Sequence, residues 1–291
     1  MDLISIANAV INGVVIGMLL ALPALAITLV FGIARFPNAA TGDYMTLGAY
    51  TTMASQLVLG GSIVAAVLAA MTATAAISLL MYFWVFRALS ERSHVSRLIA
   101  SIGVAFAVRS TITFFAGQDQ YVIDVPLVRA WNFGGLRILP TDLYIVGAAL
   151  TALFVVFFIM YLTPTGRRMR AIADSAELAA ASGIRARRVM IFLWTIAGAF
   201  CGLGGALLGI KAVVLPELGW ELLMPMFAGV ILGGIGSPVG AVLGIVTFSI
   251  AQEVASLYVG PAYKIVLAFF ILLVVLLLRP QGMLGRPIAA R

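Results

Sequence analysis

The chain has 291 residues, of which 63% are hydrophobic and 10% charged, and its mean hydropathy is +1.14. Soluble globular domains carry about one-quarter charged residues, so the composition excludes them and marks a polytopic membrane protein. The formal net charge of +7 does not point to nucleic acid. Most arginines stand in short connections between apolar runs, where the positive-inside rule accounts for them, and no broad basic face is left over.

A membrane helix needs about 20 apolar residues. Apolar runs at 7–33, 43–60, 62–86, 98–117, 142–163, 189–213, 222–236, 238–258 and 262–279 predict an all-α transmembrane bundle of about eight or nine segments, some broken or half-spanning. The first run carries Pro23, which predicts a tilt or kink. It has only Asp2 before it and lacks a basic leader, so it is expected to stay as a span. The second begins in a polar stretch, Pro37 to Tyr50. There Asn38, Thr41 and Asp43 are placed either to cap a helix starting near Tyr44 or, with Gly42, to line a solute pathway.

The connection at 87–97 holds Arg87, Arg92 and Arg97, and its lone His94 has no second His or Cys for a metal site. In the next run Arg109 is expected to snorkel outward, to pair with a carboxylate such as Asp119, or to serve the translocation path. The connection at 118–141, with Asp119, Asp124 and Trp131 beside Arg129 and Arg137, reads as external. So does 214–221, with Glu217, Trp220 and Glu221.

From Thr163 to Arg188 the chain turns cationic and alanine-rich, with Arg167, Arg168, Arg170, Arg185, Arg187 and Arg188. It is too polar to span and too helix-prone for a slack loop, which predicts a short surface helix gripped from the cytoplasm. Cys201, alone in a Gly/Ala-rich run, is read as a packing residue. The glycines from Gly229 to Gly244 predict close helix packing and a break near Ser237-Pro238, with Gly233, Gly236 and Ser237 as candidate pathway residues. Glu253 is the one acid credible for ion coupling, and Lys211 and Lys264 read as interface anchors. With Arg279, Arg286 and Arg291 in the tail, the N-terminus is expected outside and the C-terminus in the cytoplasm. Residues 1–291 read as one membrane domain without an attached soluble one.

Enzyme chemistry finds no footing: no carboxylate pair, no histidine base, no metal constellation and no P-loop. No cofactor is expected. ATP-driven transport would need another chain to hydrolyse ATP.

Four stretches together resemble the LivH-type permease subunits of branched-chain amino acid ABC importers. Asn38 to Tyr50 is similar to the family's Asn-Phe-Ala-His-Gly-(Asp/Glu) stretch with its closing Leu/Met-Gly-Ala-Tyr. Gly166 to Ile184 is similar to its loop Gly-x-x-x-Arg-Ala-x-Ala-(Glu/Asp) followed by Gly-Ile. The run Gly233 to Ala241 and the closing Arg279 to Gly285 match its later signatures. The resemblance covers nearly the whole chain. It implies an inner-membrane permease working with a second, related permease, two ATPase subunits and a periplasmic or extracellular substrate-binding protein. It also implies an ATPase-coupling loop at about 164–188, here Gly166, Arg167, Arg170, Ala171, Ala173, Asp174, Glu177, Gly183 and Ile184. The family's Phe and His are Ala39 and Thr41 here, which leaves other hydrophobic amino acids or small organic solutes open, and Ser175-Ala176 replaces a frequent Asn-Pro. An ion-coupled carrier and a non-transporting membrane scaffold are the other readings.

Overall fold

The structure is a computed structural model and describes residues 3–58, 61–125, 129–278 and 282–284. Arg279, Arg286, Arg291 and most of the closing 279–285 motif lie outside them. The described chain is almost entirely helical. Helices α1 (Leu3–Ala34), α2 (Ala40–Val58), α3 (Ile63–Met81, continued by a π-helical turn Tyr82–Phe86), α4 (His94–Ala116) and α5 (Pro140–Leu162) come first. Two short helices follow, α6 (Pro164–Asp174) and α7 (Ala176–Ala181). The chain then returns as α8 (Ala186–Lys211), α9 (Leu218–Gly233), α10 (Pro238–Val259) and α11 (Lys264–Leu278).

Six of these, α1, α3 with its π turn, α4, α5, α8 and α10, are long and apolar enough to cross a membrane. The predicted segment at 222–236 is realised as α9, which has only 16 residues and carries Pro225 in its interior. Burial separates an inner from an outer set: 83% of the apolar window of α1 and 67% of that of α8 are enclosed, against 28% for α3, α4, α5 and α10. The outer helices therefore turn a broad apolar face outward, as a lipid-facing or partner-facing surface must. Pro23 sits inside α1 against Gly204 of α8, whose missing side chain leaves room for the proline ring.

Between apolar helices in lipid there is no hydrophobic drive to associate, so close van der Waals packing has to hold them. Small residues allow it. A Cβ built on Gly205 of α8 would stand 1.8 Å from the carbonyl oxygen of Met45 on α2, and one on Gly219 of α9 would stand 1.8 Å from that of Gly42. Glycine is the one residue that fits at either place.

The two ends of the bundle differ. Between α4 and α5 a small hairpin, β1 (Trp131–Phe133) and β2 (Leu136–Ile138), turns through Gly134 and Gly135, both at positive φ as a two-residue hairpin loop requires. It is tied to the start of α1: the Asn8 side chain donates to the Gly135 carbonyl and accepts from the Arg137 N–H. The opposite end gathers the α3–α4 connection, α6, α7 and the α9–α10 turn, and carries most of the arginine. The Met283 and Leu284 N–H groups donate there to the carbonyls of Leu232 and Gly233.

Candidate functional site

The polar entrance to α2 folds as a capped helix start packed against α4. The Asn38 side-chain oxygen accepts the Ala40 N–H at 3.1 Å, the Asn38 carbonyl accepts the Thr41 hydroxyl at 2.9 Å, and the Ala39 N–H donates to Ser101 Oγ on α4 at 3.0 Å. Asn38 and Thr41 are each 2% exposed. They are thus enclosed by their own chain, and a bulky residue at 41 would have to displace helix packing before it met any solute. Gly42 is occupied by the backbone of α9.

One turn further, Asp43 is fully buried in the first turn of α2, where the helix dipole favours a negative charge. Arg109 of α4 reaches it with two parallel bonds, Nε to Oδ1 at 2.9 Å and Nη2 to Oδ2 at 3.2 Å. The fork geometry of guanidinium and carboxylate makes this the strong form of an ion pair. The guanidinium also lies over the Trp220 ring at 4.6 Å and the Phe106 ring at 5.4 Å. Thr46, one turn beyond Asp43, accepts the Gly219 N–H at 2.9 Å, which satisfies a donor at the start of α9. The expected partner of Arg109 is thereby corrected: it is Asp43 and not Asp119. An arginine stem runs far enough along α4 to meet a carboxylate on another helix, and a buried Asp43 needs a counter-charge more than a solvated Asp119 does. The Arg109 side chain stays 14% exposed, so one edge of the pair reaches the surface of the chain.

The other intramembrane charges hold helices together. Lys211 pairs with Asp142 at 2.5 Å, and Lys264 pairs with Glu253, whose second oxygen accepts from the Asn12 side chain. Both lysines were expected as interface anchors; each instead ties two helices, because a carboxylate lies within reach of its ammonium. Glu253 is held by two partners, so the residue most credible for ion coupling has a structural occupation.

At the arginine-rich end the cationic block forms two helices rather than one. Thr163 accepts the Gly166 N–H and starts α6, with Pro164 at the first helical position. Ser175 accepts the Leu178 N–H and starts α7. Ser175-Ala176 thus fulfils the cap-and-first-turn role for which Asn-Pro is equally suited. Gly183, at φ +79°, ends α7 in the left-handed conformation, and the Ile184 N–H returns to the Ala179 carbonyl. Gly166 sits so close to the Met160 carbonyl that a Cβ would clash at 2.1 Å.

The platform is fastened to the body from both ends. Arg170 donates to the Met160 carbonyl and lies over the Tyr161 ring, and Arg35 donates to the Ala173 and Asp174 carbonyls at 3.4 and 3.5 Å. Arg35 holds φ +56°, the one non-glycine residue with positive φ among those described. A cation at the C-terminal carbonyls of α6 is where the helix dipole favours it. No sequence pattern singled out Arg35, since its role depends on a contact 138 residues away.

Met169 and Ile172 are buried, and Ala171 and Ala173 partly so, against the body of the bundle. Arg167, Arg168, Asp174 and Glu177 face outward, and Leu178 is 71% exposed. Ala173, one of the coupling-loop residues, packs on this inner side. Gly233 packs against Gly240, while Gly236 and Ser237 line a cavity with Arg170 at this same end. None of the three joins Asn38, Thr41 and Gly42.

Six helices long and apolar enough to cross a membrane, paired charges between them and a capped helical platform at one end give the chain the architecture of a multi-pass membrane protein. The family profile described as "Branched-chain amino acid transport system / permease component" matches residues 9–276, and the chain belongs to that family. It is 30% identical to the high-affinity branched-chain amino acid transport system permease protein LivH of Escherichia coli K12, over 95% of this chain and 94% of that one. A second permease protein of the like-named system in the same organism, LivM, is 27% identical over 53% of this chain and 37% of its own length. Among solved structures, PsaBC from Streptococcus pneumoniae in complex with Fab matches with a TM-score of 0.51 at 16% identity, covering 94% of this chain and 92% of that one, which is a likeness of fold.

Proposed function

We propose that this chain is one of two related permease subunits of an importer that carries branched-chain amino acids inward across the cytoplasmic membrane. ATP is hydrolysed by separate ATP-binding-cassette subunits that grip α6 and α7. A soluble binding protein delivers substrate to the hairpin end. The observation that carries the reading is the α6–α7 platform: its inner face is tied to α1 and α5 by Arg35 and Arg170, while Leu178 and four charged residues face outward. A platform held in this way transmits a rigid-body push. Substrate identity rests on the names of the relatives, LivH and LivM among them.

In this reading the arginine-rich end is cytoplasmic, and substrate moves between this chain and the second permease. Asn38, Thr41 and Gly42 act on the path by fixing α2, and Asp43 and Arg109 stand at its wall. The Gly233–Ser237 turn acts at its cytoplasmic end. An ion-coupled carrier is disfavoured because Glu253 is committed to Lys264 and Asn12.

Co-purification from a host expressing the whole transporter should bring down an ATPase, and proteoliposomes holding the complex should take up leucine only with ATP and binding protein. Uptake without an ATPase would overturn the reading. Cysteines at Ser93 and Ser182 should be shielded from an impermeant thiol reagent in intact cells, while one at Asn132 should react; Cys201 is buried and leaves the background silent.

A further inference from the structure

Arg109 meets Asp43 with only one edge of its guanidinium. Nε and Nη2 donate to the two carboxylate oxygens at 2.9 and 3.2 Å, whereas Nη1 has no partner among the described residues. Nor is Nη1 enclosed: the side chain keeps 14% of its surface, and the unpaired nitrogen lies at that opening. Aromatic faces flank it. The guanidinium lies 4.6 Å from the Trp220 ring centre and 5.4 Å from that of Phe106, and the two rings stand 5.8 Å apart. A guanidinium stacked on rings keeps its plane, so its free N–H groups keep one direction.

Position on α4 decides what can reach those donors. Phe106, one turn before Arg109, is 51% exposed, and Phe114 and Phe115 beyond it are each 82% exposed, so the arginine stands inside the apolar zone. A charged group at such depth faces the bundle interior or a water-filled space, because lipid offers it no partner. The neighbouring elements suit such a space. The start of α2 is fastened to Ser101, two turns inside α4, and α9, with 16 residues too short to span, starts on Thr46 of α2. Helix ends at membrane depth are tolerated only within protein or along a cavity. Guanidinium offers donors and no acceptor, and its fork matches a carboxylate. Asp43 is fully buried with both oxygens engaged, so it presents nothing to an ammonium. Because Asp43 already balances the cation, a second carboxylate is held weakly, as a conducting path requires.

We propose that the free edge of Arg109 recognises the carboxylate of the transported amino acid as it passes along the α4–α9 face. Trp220 and Phe106 hold the guanidinium flat, and Asp43 acts through Arg109 as a positioning residue. The ammonium goes unread at this point. The choice of amino acid rests on the proposed function; the preference for a carboxylate follows from Arg109 alone.

Ser110, exposed one turn beyond Phe106 on the same face, serves as the reporter. Ser110→Cys is placed in the complete transporter, with cysteine-free partner subunits, in lipid nanodiscs that admit reagents from both sides; Cys201 is buried. Methanethiosulfonates bearing a sulfonate or a trimethylammonium group are compared, each scaled to its rate with a free thiol. Both should react, the anionic one several-fold faster. Leucine and isocaproate, which share the carboxylate, should slow the reaction. Leucinol, which keeps the ammonium and lacks the carboxylate, should protect about tenfold less, the worth of one hydrogen bond to a charged group. Adding Asp43→Ala with Arg109→Leu should remove both the anion preference and the protection, effects that a merely structural arginine would not show; if that variant fails to assemble, the ligand series on Ser110→Cys decides alone. A cysteine that neither reagent reaches would mean that lipid or a partner subunit seals this face, and would overturn the proposal, as would equal protection by leucine and leucinol. Leucine protection without ATP-driven leucine uptake would defeat the transport reading and leave the site standing, whereas uptake without protection would do the reverse.

Discussion

The junction of α2, α4 and α9 and the α6–α7 platform are both built from helix starts, glycines and arginines, yet they solve opposite problems. At the junction the buried carboxylate and the helix starts find their partners inside the chain: Asp43 with Arg109, Asn38 with the first turn of α2, Thr46 with Gly219. Nothing outside could supply one, because an unsatisfied group in a lipid-enclosed bundle costs several kcal/mol. On the platform only the inner face is satisfied in this way, and the charges of the outer face stand in solvent. The same residue types close one region on itself and leave the other open to a partner.

The comparison breaks most readily at the glycines. Gly205→Leu sets a side chain against the Met45 carbonyl of α2, and it should reduce detergent-stable, monodisperse protein more than tenfold, read by size-exclusion chromatography. Normal yield would mean that α2 and α8 are not held by that contact.

Next in size is the ion pair. Asp43→Ala leaves the partly buried Arg109 without its partner and should destabilise the permease by about 3 kcal/mol in denaturant titrations. Adding Arg109→Leu should recover a substantial part of that loss, and a double mutant as unstable as the sum of the two singles would show the pair to be uncoupled.

Leu178→Asp sharpens the contrast from the other side. Its side chain is 71% exposed, so permease stability should change by less than about 0.5 kcal/mol. ATPase retention on the purified permease should nonetheless fall at least tenfold, with uptake lost in parallel. A stability loss equal to that of Asp43→Ala would erase the distinction between the two regions.

The smallest effects belong to the caps and the rim. Ser175→Ala should weaken the start of α7 by about 1 kcal/mol and lower coupled ATPase activity without releasing the ATPase. Arg168→Glu should slow association with the ATPase and raise its salt sensitivity, with little change in the assembled complex at low salt.

Composition and residue order alone determine a good deal of this protein. High hydropathy with few charges defines the membrane class, and the spacing of apolar runs yields eight or nine segments with a short one near α9. The dense arginine block between α5 and α8 marks the platform. Caps are local, so Asn38 is legible as one where it stands, whereas Ser175 and Ser237 emerge as the caps of α7 and α10 only in the structure. Tertiary structure alone decides who pairs with whom. Asp119 lies ten positions from Arg109 and Asp43 lies 66 away, yet the distant residue is the partner. The same holds for Arg35 on α6, and for the Gly233–Ser237 turn, which stands beside Arg170 and not beside Asn38. The physical reason is that nearly every helix face here is apolar, so periodicity cannot tell an inner face from an outer one. Where helices meet is set instead by the glycines that let two backbones touch, and by the few charges that must find each other once they do.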